Sequence, residues 1–518
     1  MRSGSTRRAF MAGIGAAAAS GVGAAGLPIA RDKPSILAYR TAAELVEALA
    51  GKEVSSRELV DAAIFRIERT DPKINAVVVR DFERAREAAA AADAALAKGE
   101  RRPLLGLPMT VKEQFNVVGM PTSWGDPQFW RWYPSTDTLA VQRLKNAGAV
   151  ILGKTNVPLH LIDLQSYNEV YGTTNNPWDL SRGPGGSSGG AAAALAAGLV
   201  PLELGADLGG SLRAPAHFCG VFSHKPSLDL VPERGSGFPG TPAIPVRGDL
   251  SVIGPMARSA ADLALELAVI AGPDEWSEGI GYKLALPPPR HDKLAEFHVL
   301  IIDRHPLCPT AASVATALDG LAERLAKAGT RVVGASPNLP DLAQTSRIYS
   351  ELVAAFFSAD LPPAVGEQIA ATVRALSLGD DSLAAANVRG LTMTHPNWIQ
   401  ASRIRSDLRA SWQALFREVD VVLCPPMPTV AFPHDHSPLF ARVLDIDGAK
   451  VPYFDQSVWA GIAILNGLPA TTAPIGHTDS GLPIGVQIIC SFLDDRTTIA
   501  FAGLIEREFG GFTPPPGF

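Results

Sequence analysis

Residues 183–225, GPGGSSGGAAAALAAGLVPLELGADLGGSLRAPAHFCGVFSHK, contain two Gly-Gly-Ser units, GGSSGG at 185–190 and GGS at 209–211. Glycines around a serine permit sharp turns and let main-chain N–H groups point at a substrate oxygen, as a serine nucleophile requires. A flexible Gly/Ser linker has no reason to contain the apolar run VPLELGAD that separates the two units, so the stretch reads as ordered. GGSSG also fits the nucleophile-elbow pattern G-x-S-x-G, but that elbow needs a strand directly before it, and Ser187 follows the polar NNPWDLSRGP. Ser211 fits better. It follows the strand and the turn Asp207-Leu208-Gly209-Gly210, whose successive N–H groups can form an oxyanion hole for a carbonyl attacked by Ser211.

A serine nucleophile needs a base. His217 and His224 are near in sequence, but histidines in such apolar company more often pack or hydrogen-bond than act as bases. A lysine serves if burial lowers its pKa from about 10.4 toward neutrality. Lys112 is a candidate because it ends the apolar, strand-like PMTV of GLPMTVKEQF; taken alone, such a lysine is more often a surface charge.

A second chemical signal loses its force in context. GAVILGKT, Gly148 to Thr155, satisfies the phosphate-loop pattern G-x-x-x-x-G-K-[ST]. The intervening Ala149, Val150, Ile151 and Leu152 are strand formers, and the preceding TLAVQRLKNAG is spaced as a helix ending at Gly148. A strand between the two glycines leaves no cradle of free N–H groups for a phosphate.

The elements that must position these residues belong to an ordinary globular chain. Of 518 residues, 47% are hydrophobic and 19% charged, which matches neither disorder nor a membrane span. A net charge of -6 gives no basic footprint for nucleic acid. Cys219, Cys308, Cys424 and Cys490 are too few and scattered for a disulfide framework or zinc site, and the ten histidines form no metal motif, so no metal is indicated.

Residues 1–30, MRSGSTRRAFMAGIGAAAASGVGAAGLPIA, run from a basic start through a weakly hydrophobic stretch to small residues, the form of an export signal. Their core, STRRAFM, resembles the twin-arginine type. A disordered basic N-terminus on a cytosolic enzyme is the alternative.

Capping boxes at Thr41/Glu44 and Ser55/Glu58 predict helices, INAVVVR a strand, and Phe82 to Lys98 a third long helix. Strands are expected near 148–153, 200–206, 297–303, 330–334, 419–424 and 484–490, with helices between most of them. The alternation predicts an α/β fold with helices around one mixed sheet. Pro287 to Arg290 and residues 235–245 read as surface connections.

Together these motifs resemble the amidase signature family. The likeness runs from LPMTVKEQFNVVG through GAVILGKTNVP, YGTTNNPWD, the 183–225 block and GDLSVIGPMARSAADL to GLPATTAPIG and GLPIGVQII. It implies a single amidase signature domain over 31–518, with a catalytic core at about 80–270 and 400–518 and a variable substrate-side region at 275–400. It further implies that Lys112 is the catalytic lysine, Ser187 the bridging serine and Ser211 the nucleophile, with N–H groups of Leu208, Gly209, Gly210 and Ser211 as oxyanion hole. Gly186, Ser188, Asp207 and Arg213 would support them, and the Gly186–Ser187 peptide would be cis.

The resemblance implies hydrolysis of small-molecule amides through an acyl-enzyme, without cofactor, metal, nucleic acid or membrane span. Two other roles stay open: the glutamine amidotransferase component of a tRNA-dependent transamidation complex, and a non-catalytic binding protein on the same fold. Twin-arginine export would make the protein periplasmic or secreted; without it the location is cytoplasmic. A homodimer is the commonest departure from a monomer. Glu113 and Ala206 stand where the family commonly has aspartate and threonine. The aromatic run FWRWY, Phe129 to Tyr133, could line an aryl pocket, although such clusters are more often core.

Overall fold

The computed structural model describes residues 38–242, 248–358 and 379–518, with a few single positions between. The export-signal segment lies outside the described residues, as do positions 243–245 of the expected surface connection.

Eleven strands form one sheet among the described residues: β1 (Val77–Arg80), β2 (Pro108–Lys112), β3 (Val150–Thr155), β4 (Leu202–Asp207), β5 (Phe222–Lys225), β6 (Val252–Ala257), β7 (His298–Ile301), β8 (Arg331–Val333), β9 (Val421–Cys424), β10 (Ala470–His477) and β11 (Pro483–Ile489). Their order across the sheet is β1-β3-β2-β4-β6-β5-β10-β11-β9-β7-β8. β3, β2 and β4 run parallel, while β6, β5, β10 and β11 pair antiparallel, so the sheet is mixed as expected.

The α-helices among the described residues are α1 (Ala42–Ala50), α2 (Ser56–Thr70), α3 (Phe82–Ala97), α4 (Leu139–Asn146), α5 (Gly189–Ala196), α6 (Arg213–Cys219), α7 (Ala260–Ile270), α8 (Ala312–Lys327), α9 (Leu342–Ser358), α10 (Leu383–Leu391), α11 (His395–Leu415), α12 (Val458–Asn466) and α13 (Asp495–Phe509). Both expected capping boxes form: Thr41 and Ser55 accept from the backbone of Glu44 and Glu58, whose carboxylates return the bond.

Alternation along β4 does the positioning. Leu202, Leu204 and Ala206 join the main apolar core, while Glu203, Gly205 and Asp207 point to the opposite face. Thr110 pairs with Glu203 and Val111 with Leu204, so Lys112, which shares the face of Thr110, ends β2 beside the closing residues of β4. Helices α5 and α6 pack on that face through a small-residue core of Ala191 to Ala197, Leu212, Ala216 and Cys219. The alanine run from residue 191 is therefore a wholly buried helix, placed where its short side chains let the 187–188 segment approach the sheet.

The phosphate-loop look-alike is β3 itself. Lys154 is fully buried and donates to Pro121 O at 2.6 Å and Thr122 Oγ1 at 2.8 Å, so its ammonium serves a neighbouring loop.

Candidate active site

Lys112 has 1% exposure and one side-chain hydrogen bond among the described residues, from Nζ to Ser187 Oγ at 2.7 Å. Burial pulls its pKa down to about 7, against an opposing pull from the charge of Asp207. A lysine so placed is substantially neutral at neutral pH and can take a proton.

Ser187 follows a cis Gly186–Ser187 peptide, as the resemblance implied. Gly186 is required sterically: a Cβ there would stand 2.4 Å from Asp163 O and 2.8 Å from Gln165 N. The segment is fastened by Ser166, whose hydroxyl donates to Gly185 O at 3.0 Å and accepts from Gly189 N at 3.1 Å. Ser188 N donates to Ser211 O at 3.2 Å, which joins the two serine loops through their backbones.

The turn after β4 is built on one carboxylate. Asp207 accepts from Gly210 N at 2.8 Å, Leu212 N at 3.0 Å, and Arg213 Nε and Nη2 at 3.0 and 2.9 Å. Arg213 also donates to Ala460 O at 3.0 Å and to Gln487 Oε1. Burial alone would raise the Asp207 pKa, but the Arg213 charge and these hydrogen bonds outweigh it and hold it at about 2. Gly210 has φ +100°, a left-handed conformation that favours glycine.

These bonds engage one of the four N–H groups expected to form the oxyanion hole. The Gly210 N–H is already given to Asp207, whereas those of Leu208, Gly209 and Ser211 have no partner among the described residues. The free donors are therefore three, on either side of Gly210. Ser211 is 9% exposed against 2% for Ser187, which suits it for reaching a substrate and Ser187 for an internal relay.

Neither histidine reaches a serine of the pair. His217 shares a hydrogen bond with Thr429 O through Nε2 and accepts from Gly485 N at Nδ1, and burial lowers its pKa to about 4. His224 is held between Thr471 and Asp495. No group of side chains able to hold a metal ion occurs among the described residues.

The two departures from the family pattern both have local roles. Glu113 is fully buried and accepts from Ser123 N and Oγ, Trp124 N and Tyr171 OH, tying the 122–124 loop beside the lysine strand. Ala206 keeps only backbone contact with Ser188 Oγ, its carbonyl accepting at 3.3 Å. The aromatic run is not core, since Trp130 and Tyr133 are more than half exposed. Phe129 and Trp132 are half-buried, and Phe129 packs edge-on against Phe238, which also meets Trp124 and His160.

The chain is similar to known proteins over most of its length. The family model described as Amidase matches residues 58–499. The chain is 32% identical over 495 residues to a component of the glutamyl-tRNA(Gln) amidotransferase of Anaeromyxobacter sp. (strain K), covering 90% of this chain and 96% of that protein. It is 33% identical over 500 residues to fatty-acid amide hydrolase 2-A of Danio rerio, covering 92% and 90%. Among solved structures, a complex described as revealing the origins of an s-triazine catabolic enzyme superposes with TM-score 0.76 at 28% identity, covering 91% of this chain and 99% of that one.

Proposed function

The chain belongs to the amidase family, and on that premise we propose that it hydrolyses uncharged carboxylic amides to a carboxylic acid plus ammonia or an amine. The observation that carries this reading is the buried Lys112 Nζ at 2.7 Å from Ser187 Oγ, beside a turn that offers free N–H donors around Ser211. Neutral Lys112 takes the Ser187 hydroxyl proton while Ser187 takes that of Ser211, whose Oγ bonds to the amide carbon. The oxyanion rests on the turn. The proton returns through Ser187 to the leaving nitrogen, because an amide anion is too poor a leaving group to depart unprotonated. Water then repeats the sequence on the acyl-enzyme and releases the acid.

The surroundings of the turn support an uncharged substrate. Ala460 Cβ and Met427 Sδ lie 3.1 and 3.9 Å from where a Cβ on Gly210 would stand. Apolar walls suit an acyl chain or ring better than the charged ends of a free amino acid.

A second reading is favoured by the amidotransferase relatives: a component that releases ammonia from glutamine for a partner-bound acceptor. Both readings share the amide-cleaving step. The deciding experiment is ammonia or amine release by the purified chain from aliphatic, aryl and amino-acid amides, with Ser211→Ala beside it. Turnover of simple amides but not glutamine supports the first reading; turnover confined to glutamine supports the second. Silence throughout would point to a partner-dependent component or a non-catalytic protein.

Residues 1–30 are proposed to direct export, on the strength of their STRRAFM core. No helix among the described residues is long and apolar enough to cross a membrane. Fractionation of a tagged full-length chain tests the export, and retention in the cytoplasm would favour the amidotransferase reading.

A further inference from the structure

Helix α9 brings Tyr349 onto the turn from 138 residues further along the chain than Ser211, and the proton relay from Lys112 to Ser211 makes no use of it. Its ring packs against α12, where Gly461 makes the approach possible: a Cβ at 461 would stand 2.7 Å from Tyr349 Cδ1 and 2.9 Å from Cγ. The hydroxyl then reaches the turn. It donates to Leu208 O at 3.4 Å and lies 3.2 Å from where a Cβ on Gly209 would stand.

A trans peptide is planar, with C=O and N–H on opposite edges. The Leu208–Gly209 peptide is trans. A group that fixes the Leu208 carbonyl on one edge therefore fixes the Gly209 N–H on the other, and that N–H is one of the turn's free donors. On the far side, Asp207 holds Gly210 N and Arg213 holds Ala460 O, whereas the Leu208–Gly209 peptide has Tyr349 as its only side-chain partner among the described residues.

We propose that the Tyr349 hydroxyl is a positioning group that aims the Gly209 N–H at the carbonyl oxygen of the substrate. The assignment rests on Ser211 acting as the nucleophile. Tyr349 does not touch the reacting atoms; it restricts rotation of one peptide so that its donor is in place before charge develops.

The test uses an alkyl fluorophosphonate, which needs no knowledge of the natural amide. Ser211 Oγ forms a bond to phosphorus, fluoride leaves, and the hydroxyl proton passes to the Ser187–Lys112 relay, while the phosphoryl oxygen draws on the same N–H groups. Tyr349→Phe keeps the ring on Gly461 and removes only the hydroxyl. Labelling at Ser211 is followed by mass spectrometry in the parent, Tyr349→Phe and Ser211→Ala. The maximal labelling rate of Tyr349→Phe is expected to fall about 10-fold at unchanged half-saturating reagent, short of the roughly 10²- to 10³-fold that loss of a direct oxyanion donor causes. An unchanged rate, or a change confined to half-saturation, would overturn the role of Tyr349. Equal labelling of Ser211→Ala and the parent, or none of the parent, would overturn the reading of Ser211 and Tyr349 with it.

Discussion

Lys112 and Ser187 are 75 residues apart in sequence and 2.7 Å apart in the fold, and the contact is fully buried. No bulk water separates the amine from the hydroxyl, so the proton affinity of Lys112 is set by its enclosure and by Asp207.

Activity should follow the titration of that lysine. With a pKa near 7, Lys112 acts as a base only above it, so kcat/KM should rise about tenfold per pH unit below about 7 and level off above. Lys112→Met should remove the rise and about 10²- to 10⁴-fold of the rate. A flat profile between about pH 5 and 9 in the parent would exclude Lys112 as the base.

The serines should behave as one unit. Ser187→Ala removes the only hydrogen bond of the Lys112 amine among the described residues, and Ser211→Ala removes the atom proposed to attack. Each single change should cost at least about 10³-fold in kcat, and the double variant no more than the worse single one. Additive losses in the double variant would mean that the serines act separately.

Asp207→Asn should cost about 3–5 kcal/mol of stability, because it leaves the buried Arg213 without its counter-charge. Thermal unfolding measures this. The same change withdraws the negative charge that raises the Lys112 pKa, so any residual activity should have its pH midpoint shifted downward. A shift upward would contradict the electrostatic account.

Glu266 predicts a stability effect away from the site. Both its carboxylate oxygens are buried without a hydrogen-bond partner among the described residues, and burial, with Glu203 and Asp262, holds its pKa well above the usual 4.5. The folded state keeps a proton that the unfolded state releases, so this group makes stability fall as pH rises above 4.5, by at most about 1.4 kcal/mol per unit, until its folded pKa is passed. Glu266→Gln carries no such proton. Its stability relative to the parent, from urea unfolding, should increase between about pH 5 and pH 8; a constant difference would show that Glu266 does not titrate this way.

The parts of this fold visible in the sequence are those where local chemistry and final structure agree. Thr41/Glu44 and Ser55/Glu58 cap helices through contacts three residues apart, and VILGKT or VVLC become strands because their residues favour them. Two strands that local pattern does not reveal contain residues that oppose them: β6 includes Gly254 and Pro255, and β10 carries Pro474 at an irregularity in its pairing. A third, β5, is only the four residues FSHK and is placed by its pairing with β6 and β10. At the candidate site, Lys112, Ser187 and Ser211 are singled out by glycine spacing and family motifs. The diversion of the Gly210 N–H to Asp207 and the approach of Tyr349 are not, since they depend on contacts between distant segments and on side-chain direction.

Asp207 has a consequence for how such a protein can diversify. One carboxylate raises the proton affinity of Lys112, clamps Arg213 and fixes the turn that carries Ser211. Base strength and nucleophile geometry are thus welded into a single unit, in which no component can drift without disturbing the others. A substitution at Asp207 therefore reaches all three at once, whereas one in a helix or loop that arrives from elsewhere in the chain can reshape the surroundings of the turn and leave this unit as it is.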